Sequence, residues 1–153
     1  MDQITAEDPG AGWYLYMLKL IETGFRPSLE QALSAHGLSA AQYTALSVLR
    51  TRPGITSSEL ARRSFVRAQS MAETVSVMQE RRWITREQDP THARRLLLHT
   101  APEGLRVLAA VEEPVSRTEA QLLEGLSREA ADQLALTLRT MRRNLRQLNN
   151  QAP

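Results

Sequence analysis

Residues 56–82 read TSSELARRSFVRAQSMAETVSVMQERR, and this stretch decides the fold. Thr56 stands three residues before Glu59. At that spacing a hydroxyl and a carboxylate can each satisfy an orphan N–H at a helix start, worth about 1 kcal/mol for the cap. The short helix opened there covers residues 57–63 with Leu60 and Ala61 inward. A tight turn, Ser64-Phe65-Val66, leads into a longer helix over 67–81, whose apolar stripe is Met71, Val75 and Met78. Short helix, turn and longer helix make a helix-turn-helix.

Working outward, the period changes after Arg82. Trp83-Ile84-Thr85-Arg86-Glu87 and Arg95-Leu96-Leu97-Leu98-His99 read as strands, separated by a polar loop over 88–94 with Asp89-Pro90 turn chemistry. A hairpin in that place makes the winged version of the motif. Upstream, Ser39 and Gln42 form another capping box, opening a helix with Tyr43, Leu46 and Leu49 on one face and Pro53-Gly54 as its stop. Before it, apolar residues at Leu15, Leu18, Ile21, Phe25, Leu29 and Leu33 predict a helix over 13–35 that Pro27 should kink or split, with Gly37 ending it. Downstream, Thr100 and Glu103 form a third capping box ahead of Leu105, Leu108, Val111 and Val115, in a helix bent at Pro114 and reaching residue 124. Gly125 breaks it and Ser127 caps the last helix. There Leu134, Leu138, Met141, Leu145 and Leu148 follow the 4-3-4-3 spacing of a seam that wants helical partners. Only residues 1–12 and 149–153 are expected to lack structure. The expectation is a mainly α fold with a small β-hairpin wing, as one domain over 1–153. Its winged helix-turn-helix lobe covers 38–100, and helical dimerisation arms cover 13–36 and 101–149.

Composition narrows the function. The 153 residues are enough to bury a core without staples. The absence of cysteine removes disulfides, thiol redox sensing, Cys-ligated zinc and a Cys nucleophile. His36, His92 and His99 are scattered without ligand spacing, so neither metal nor cofactor is expected. Apolar runs are too short to cross a bilayer, and residues 1–12 are acidic without a signal-peptide core, which points to a soluble, cytoplasmic protein with no membrane partner. The net charge of +2 hides an asymmetry. Residues 50–95 hold ten Arg and five acids, while the rest of the chain sums to −3. A basic middle between acidic flanks suggests a polyanion-binding segment.

The second helix of the motif suits the DNA major groove, which admits a helix and distinguishes all four base pairs. With its stripe turned inward, it presents Gln69, Ser70, Glu73, Ser76 and Val77. Gln can read adenine, Glu can accept from cytosine N4, and Val77 can touch a thymine methyl. Arg67 at its start and Arg81 and Arg82 at its end are placed for phosphates, as are His92, Arg94 and Arg95 at the hairpin tip. Against this stands the ordinary solvated face that any amphipathic helix shows.

Residues 38–104 resemble the MarR family of winged-helix transcription regulators. Leu38-Ser39-Ala40-Ala41-Gln42-Tyr43 is similar to the family's Leu-Thr-x-x-Gln helix opening, and Pro53-Gly54-Ile55-Thr56-Ser57-Ser58-Glu59-Leu60-Ala61 to its turn into Glu-Leu-Ala. The wing signature Asp-x-Arg, five residues, Leu-Thr, two residues, Gly is matched in spacing by His92-Ala93-Arg94 and Thr100-Ala101-Pro102-Glu103-Gly104. Four departures stand out. His92 replaces the Asp that braces the wing arginine, and Thr100-Ala101 replaces Leu-Thr, which should move the helix cap back one residue. Phe65 and Arg82 occupy positions usually held by Gly. The resemblance implies a homodimer formed by the first and last two helices, reading a palindromic double-stranded operator. It also implies a small aromatic or phenolic effector bound near the dimerisation helices, for which the candidates are Trp13, Tyr14, Tyr16, Phe25, His36 and Tyr43. Most aromatics at helical spacing are core, so any one of these has an ordinary packing explanation.

The leading reading is therefore a dimeric DNA-binding repressor. A winged-helix module that binds protein instead of DNA is the alternative. An enzyme is disfavoured, because no Ser/His/Asp order, Gly-rich phosphate loop or metal motif is present.

Overall fold

A computed structural model describes residues 10–150, with side chains through Leu148. The element order is α1 (Trp13–Ser34), α2 (Ala40–Thr51), α3 (Ser57–Arg63), α4 (Ala68–Glu80), β1 (Ile84–Asp89), β2 (His92–Thr100), α5 (Pro102–Leu122) and α6 (Arg128–Asn150). The expected unstructured ends lie mostly outside the described residues, although α6 continues through Asn150. The chain falls into two compact units, one running to Thr118 and the other beginning at Glu119.

The first unit has one core. Leu33 of α1, Leu46 and Leu49 of α2, Leu60 of α3, Met71, Val75 and Met78 of α4, Leu98 of β2, and Leu108 and Val111 of α5 are all fully or almost fully buried. The stripe that sequence periodicity assigned to α4 is thus the face that packs. α1 runs unbroken through Pro27, and α5 through Pro114, so neither proline splits its helix.

Caps explain the helix starts. Ser39 Oγ accepts the Gln42 N–H while the Gln42 side chain accepts the Ser39 N–H, a complete capping box. Thr56 Oγ1 accepts the Glu59 N–H at 3.2 Å, but Glu59 turns its carboxylate to Arg63 at 2.7 Å, leaving half a box. The Arg63 hydrogen bond is the main reason that carboxyl titrates below its ordinary range. The third expected box does not form. Thr100 is the last residue of β2, its hydroxyl is buried without a partner, and Glu103 pairs with Arg106. The strand extends further than the sequence indicated, so α5 begins at Pro102 and the cap has not moved back to Thr100.

Helix ends carry the other signal. At the end of α3, Val66 N–H reaches Ala61 O (3.1 Å) and Phe65 N–H reaches Arg62 O (3.4 Å), with Phe65 at φ 56°. At the end of α4, Trp83 N–H reaches Met78 O (2.9 Å) and Arg82 N–H reaches Gln79 O (3.0 Å), with Arg82 at φ 60°. Both are Schellman closures, which require a left-handed residue. That conformation is why glycine suits these two positions and why a side chain there is strained.

The second unit is simpler. Gly125 (φ 87°) ends the last turn of α5, Ser127 Oγ caps Ala130 N–H at 3.2 Å, and α6 follows. No described residue of α6 is buried within the chain. The seam residues Leu134, Leu138, Met141, Leu145 and Leu148 are 37–66% exposed.

Candidate nucleic-acid interface

α3 and α4 pack closely, held by Leu60 and Ala61 against Met71 and Val75 in the common core. This fixes the rotation of α4. Gln69, Ser70, Glu73, Ser76 and Val77 consequently face solvent, as the sequence predicted, with Val77 36% exposed. Thr74, also on α4, is occupied by its own helix through Ser70 O.

The wing differs from its sequence outline. Its strands are longer, and the turn shrinks to Pro90-Thr91. Pairing is regular from Ile84–Thr100 to Gln88–Leu96, then jumps to Asp89–His92. Ala93, Arg94 and Arg95 are therefore extra residues bulged out of β2 near the tip, rather than part of a polar loop. A bulge re-aims side chains that a regular ladder would fix. The wing also gains a third contributor that the sequence reading missed. Ile55 bridges Leu98, with Leu98 N–H to Ile55 O at 2.8 Å and Gly54 N–H to Leu98 O at 2.9 Å. The β-branched Ile55 after Pro53-Gly54 was the available signal. This bridge ties the wing to the approach of α3.

Asp89 organises the tip. Its Oδ1 accepts from Thr91 N–H (2.8 Å) and Thr91 Oγ1 (2.7 Å), and its Oδ2 lies 3.7 Å from Arg95 Nη1. The Thr91 hydroxyl first, then its N–H, with the charges of Arg95 and His92, holds the Asp89 carboxyl below the usual range. The acid bracing this wing is thus Asp89, three residues before His92, and the arginine it braces is Arg95.

The arginines divide by partner. Arg50 pairs with Glu112 at 3.1 Å, and Arg62 and Arg63 share Glu59. Arg81, expected at phosphates, instead donates Nη1 to Gly37 O at 2.6 Å and lies 4.9 Å over the Trp83 ring. Arg52, Arg67, Arg82, Arg86 and Arg94 have no side-chain hydrogen bond or ion pair among the described residues and remain exposed. These free cations include both ends of α4 and the wing bulge. Arg52 and Arg86 were not singled out from the sequence, because a cation on a helix end or short strand has no distinguishing pattern.

The effector candidates do not converge within the chain. α1 has 22 residues, so its length alone separates Trp13 and Tyr16 from His36 by about 30 Å. Trp13 packs edge-on to Tyr14, with ring centroids 5.2 Å apart. Tyr43 packs against the core, Phe25 is half-buried, and Tyr16 and His36 are exposed. None of these lines the concavity at the wing turn, formed by residues 88–93. No described helix is long and apolar enough to cross a membrane.

Residues 36–95 match the model of the MarR family. A protein of Thauera aromatica assigned to regulation of the hcr operon is 31% identical over 103 residues, which are 67% of this chain; the chain spans 62% of that relative's length. The HTH-type transcriptional repressor Rv2887 of Mycobacterium tuberculosis is 27% identical over 122 residues, 80% of this chain and 86% of that one. Its structure in complex with salicylic acid superposes with a TM-score of 0.72 at 25% identity, covering 90% of this chain and 99% of that one. The repressor CouR bound to a 23-mer DNA duplex shares the fold, with a TM-score of 0.71 at 22% identity over 92% of this chain and 98% of that one. The family match falls on the winged helix-turn-helix built above, and the protein belongs to the MarR family of winged helix-turn-helix transcription regulators.

Proposed function

We propose that the protein is a homodimeric, cytoplasmic repressor that binds a palindromic operator and is released by a small aromatic or phenolic ligand. The observation that carries this reading is the arrangement around α4. Its outward face holds uncommitted Gln69, Ser70 and Glu73, and free cations sit at Arg67, Arg82 and Arg94. Such a helix in the major groove reads bases with Gln69, Ser70, Glu73 and Val77, while Arg67, Arg82, Arg94 and Arg95, with His92, meet phosphates or the minor groove. In this reading residues 38–100 act as the DNA-binding lobe, and 13–36 and 101–149 as dimerisation arms. The exposed seam on α6 supports the dimer, because an apolar stripe left open along a helix is covered by another helix. The salicylic acid complex of the mycobacterial relative supports an aromatic acid as the effector class.

Selection of bound duplexes from a random pool, repeated with salicylate present, tests this directly. An inverted repeat with half-sites one helical turn apart, depleted by salicylate or a related phenolic acid, is the expected outcome. Recovery of no common sequence would reject it.

A further inference from the structure

We infer that Phe65 is a DNA-contacting residue, laying its ring on the apolar deoxyribose and thymine-methyl surface beside the groove that receives α4. This deepens the DNA-binding reading above and rests on it. Two independent features of Phe65 are unfavourable in the free protein. Its backbone is left-handed at φ 56°, a conformation for which the chain uses glycine at Gly37, Gly54 and Gly125. The residue is 86% exposed, so the ring finds little burial within its own chain to offset that strain. Glycine would remove both costs. The other left-handed non-glycine, Arg82, differs because a guanidinium is at ease in water.

The location names the partner. Phe65 is the turn residue of the helix-turn-helix, and the Val66–Ala61 hydrogen bond pins it two residues before Arg67, the N-cap of α4. Exposed Arg62 and Arg67 flank it in sequence. An apolar ring with exposed cations close by in the chain complements a duplex, whose phosphates border sugar faces and base methyls.

The test uses the full chain and the palindromic duplex recovered by selection on the wild-type protein. F65G and F65N both tolerate the left-handed turn, so the fold is kept while the ring is lost. Both variants should bind on the order of tenfold more weakly, the scale of one lost apolar base-edge contact. Their melting temperatures should be at or above wild type, and the salt slope unchanged, because no phosphate contact is removed. Replacing half-site thymines by deoxyuridine separates the two apolar surfaces. If the methyl is the contact, wild type weakens more than F65G, which keeps only the Val77 methyl contact; if the sugar is the contact, both respond alike. Unchanged affinity in F65G and F65N, or a change in dimer mass in place of affinity, would overturn the inference. Failure of the DNA reading itself shows earlier, as a wild-type protein with no preferred duplex.

Discussion

Arg81 Nη1 donates to the Gly37 carbonyl at 2.6 Å while its guanidinium covers the Trp83 ring at 4.9 Å. One side chain thus fastens the end of α4 to the loop that follows α1. Arg81→Ala should lower unfolding stability by about 1 kcal/mol, the scale of one charge-assisted hydrogen bond with a partly solvated cation–π contact. Urea melts check this. Arg81→Lys should recover only part, since lysine lacks the planar fork. Because Arg81 is committed inside the protein, its removal should change the salt dependence of DNA binding less than Arg94→Ala does.

The wing tip should respond to acid through Asp89. Its folded pKa is depressed by Thr91 first, then by Arg95 and His92. A depressed carboxylate contributes stability above its unfolded pKa, about 3.9, and loses it as pH falls through the lower folded value. The melting-temperature advantage of wild type over Asp89→Asn should therefore be constant near neutrality and shrink below about pH 4. A difference that stays flat to low pH would show that the hydrogen bonds to Thr91 do not depend on the charge.

Gly104 is buried where α5 passes the strand start, and a methyl there would overlap the Trp83 carbonyl oxygen and press on Thr100 Cγ2 at 3.0 Å. Backbone cannot yield as a flexible side chain does. Gly104→Ala should cost about 3 kcal/mol, at the upper end for overpacking, and lower the melting temperature accordingly.

Much of this was legible beforehand. The periodicity of Met71, Val75 and Met78 fixed the buried face of α4, and hence its outward residues. Ser39 and Thr56 marked helix starts, and the glycine-like positions of Phe65 and Arg82 proved to be left-handed. The errors arose where tertiary pairing overrode local chemistry. Thr100 has capping spacing to Glu103, yet pairing with Ile84 keeps it in β2. Arg94 stands in a polar stretch, yet the strands close around it and push it into a bulge. The partner of Arg81 lies 44 residues away, beyond any local pattern.

The α6 seam offers a separate test. Leu138→Asp or Met141→Asp places a charge in an apolar stripe that is solvent-exposed in the protomer. Sedimentation should show wild type as a dimer and the variants shifted to monomer, with helicity largely retained, since neither residue is buried within its own chain. Loss of helicity at an unchanged mass would contradict the dimer.

The central claim is that α4 and the wing bulge bind duplex DNA by sequence and charge together, and salt-dependent binding tests it most directly. Each neutralised phosphate contributes about −0.9 to the slope of log affinity against log salt. The account predicts a slope of several units for wild type on its selected duplex, reduced by about one in Arg94→Ala. Gln69→Ala should keep the slope and lose about 1–3 kcal/mol of preference at one base pair. A flat salt response, with equal affinity for selected and random duplexes, would contradict it.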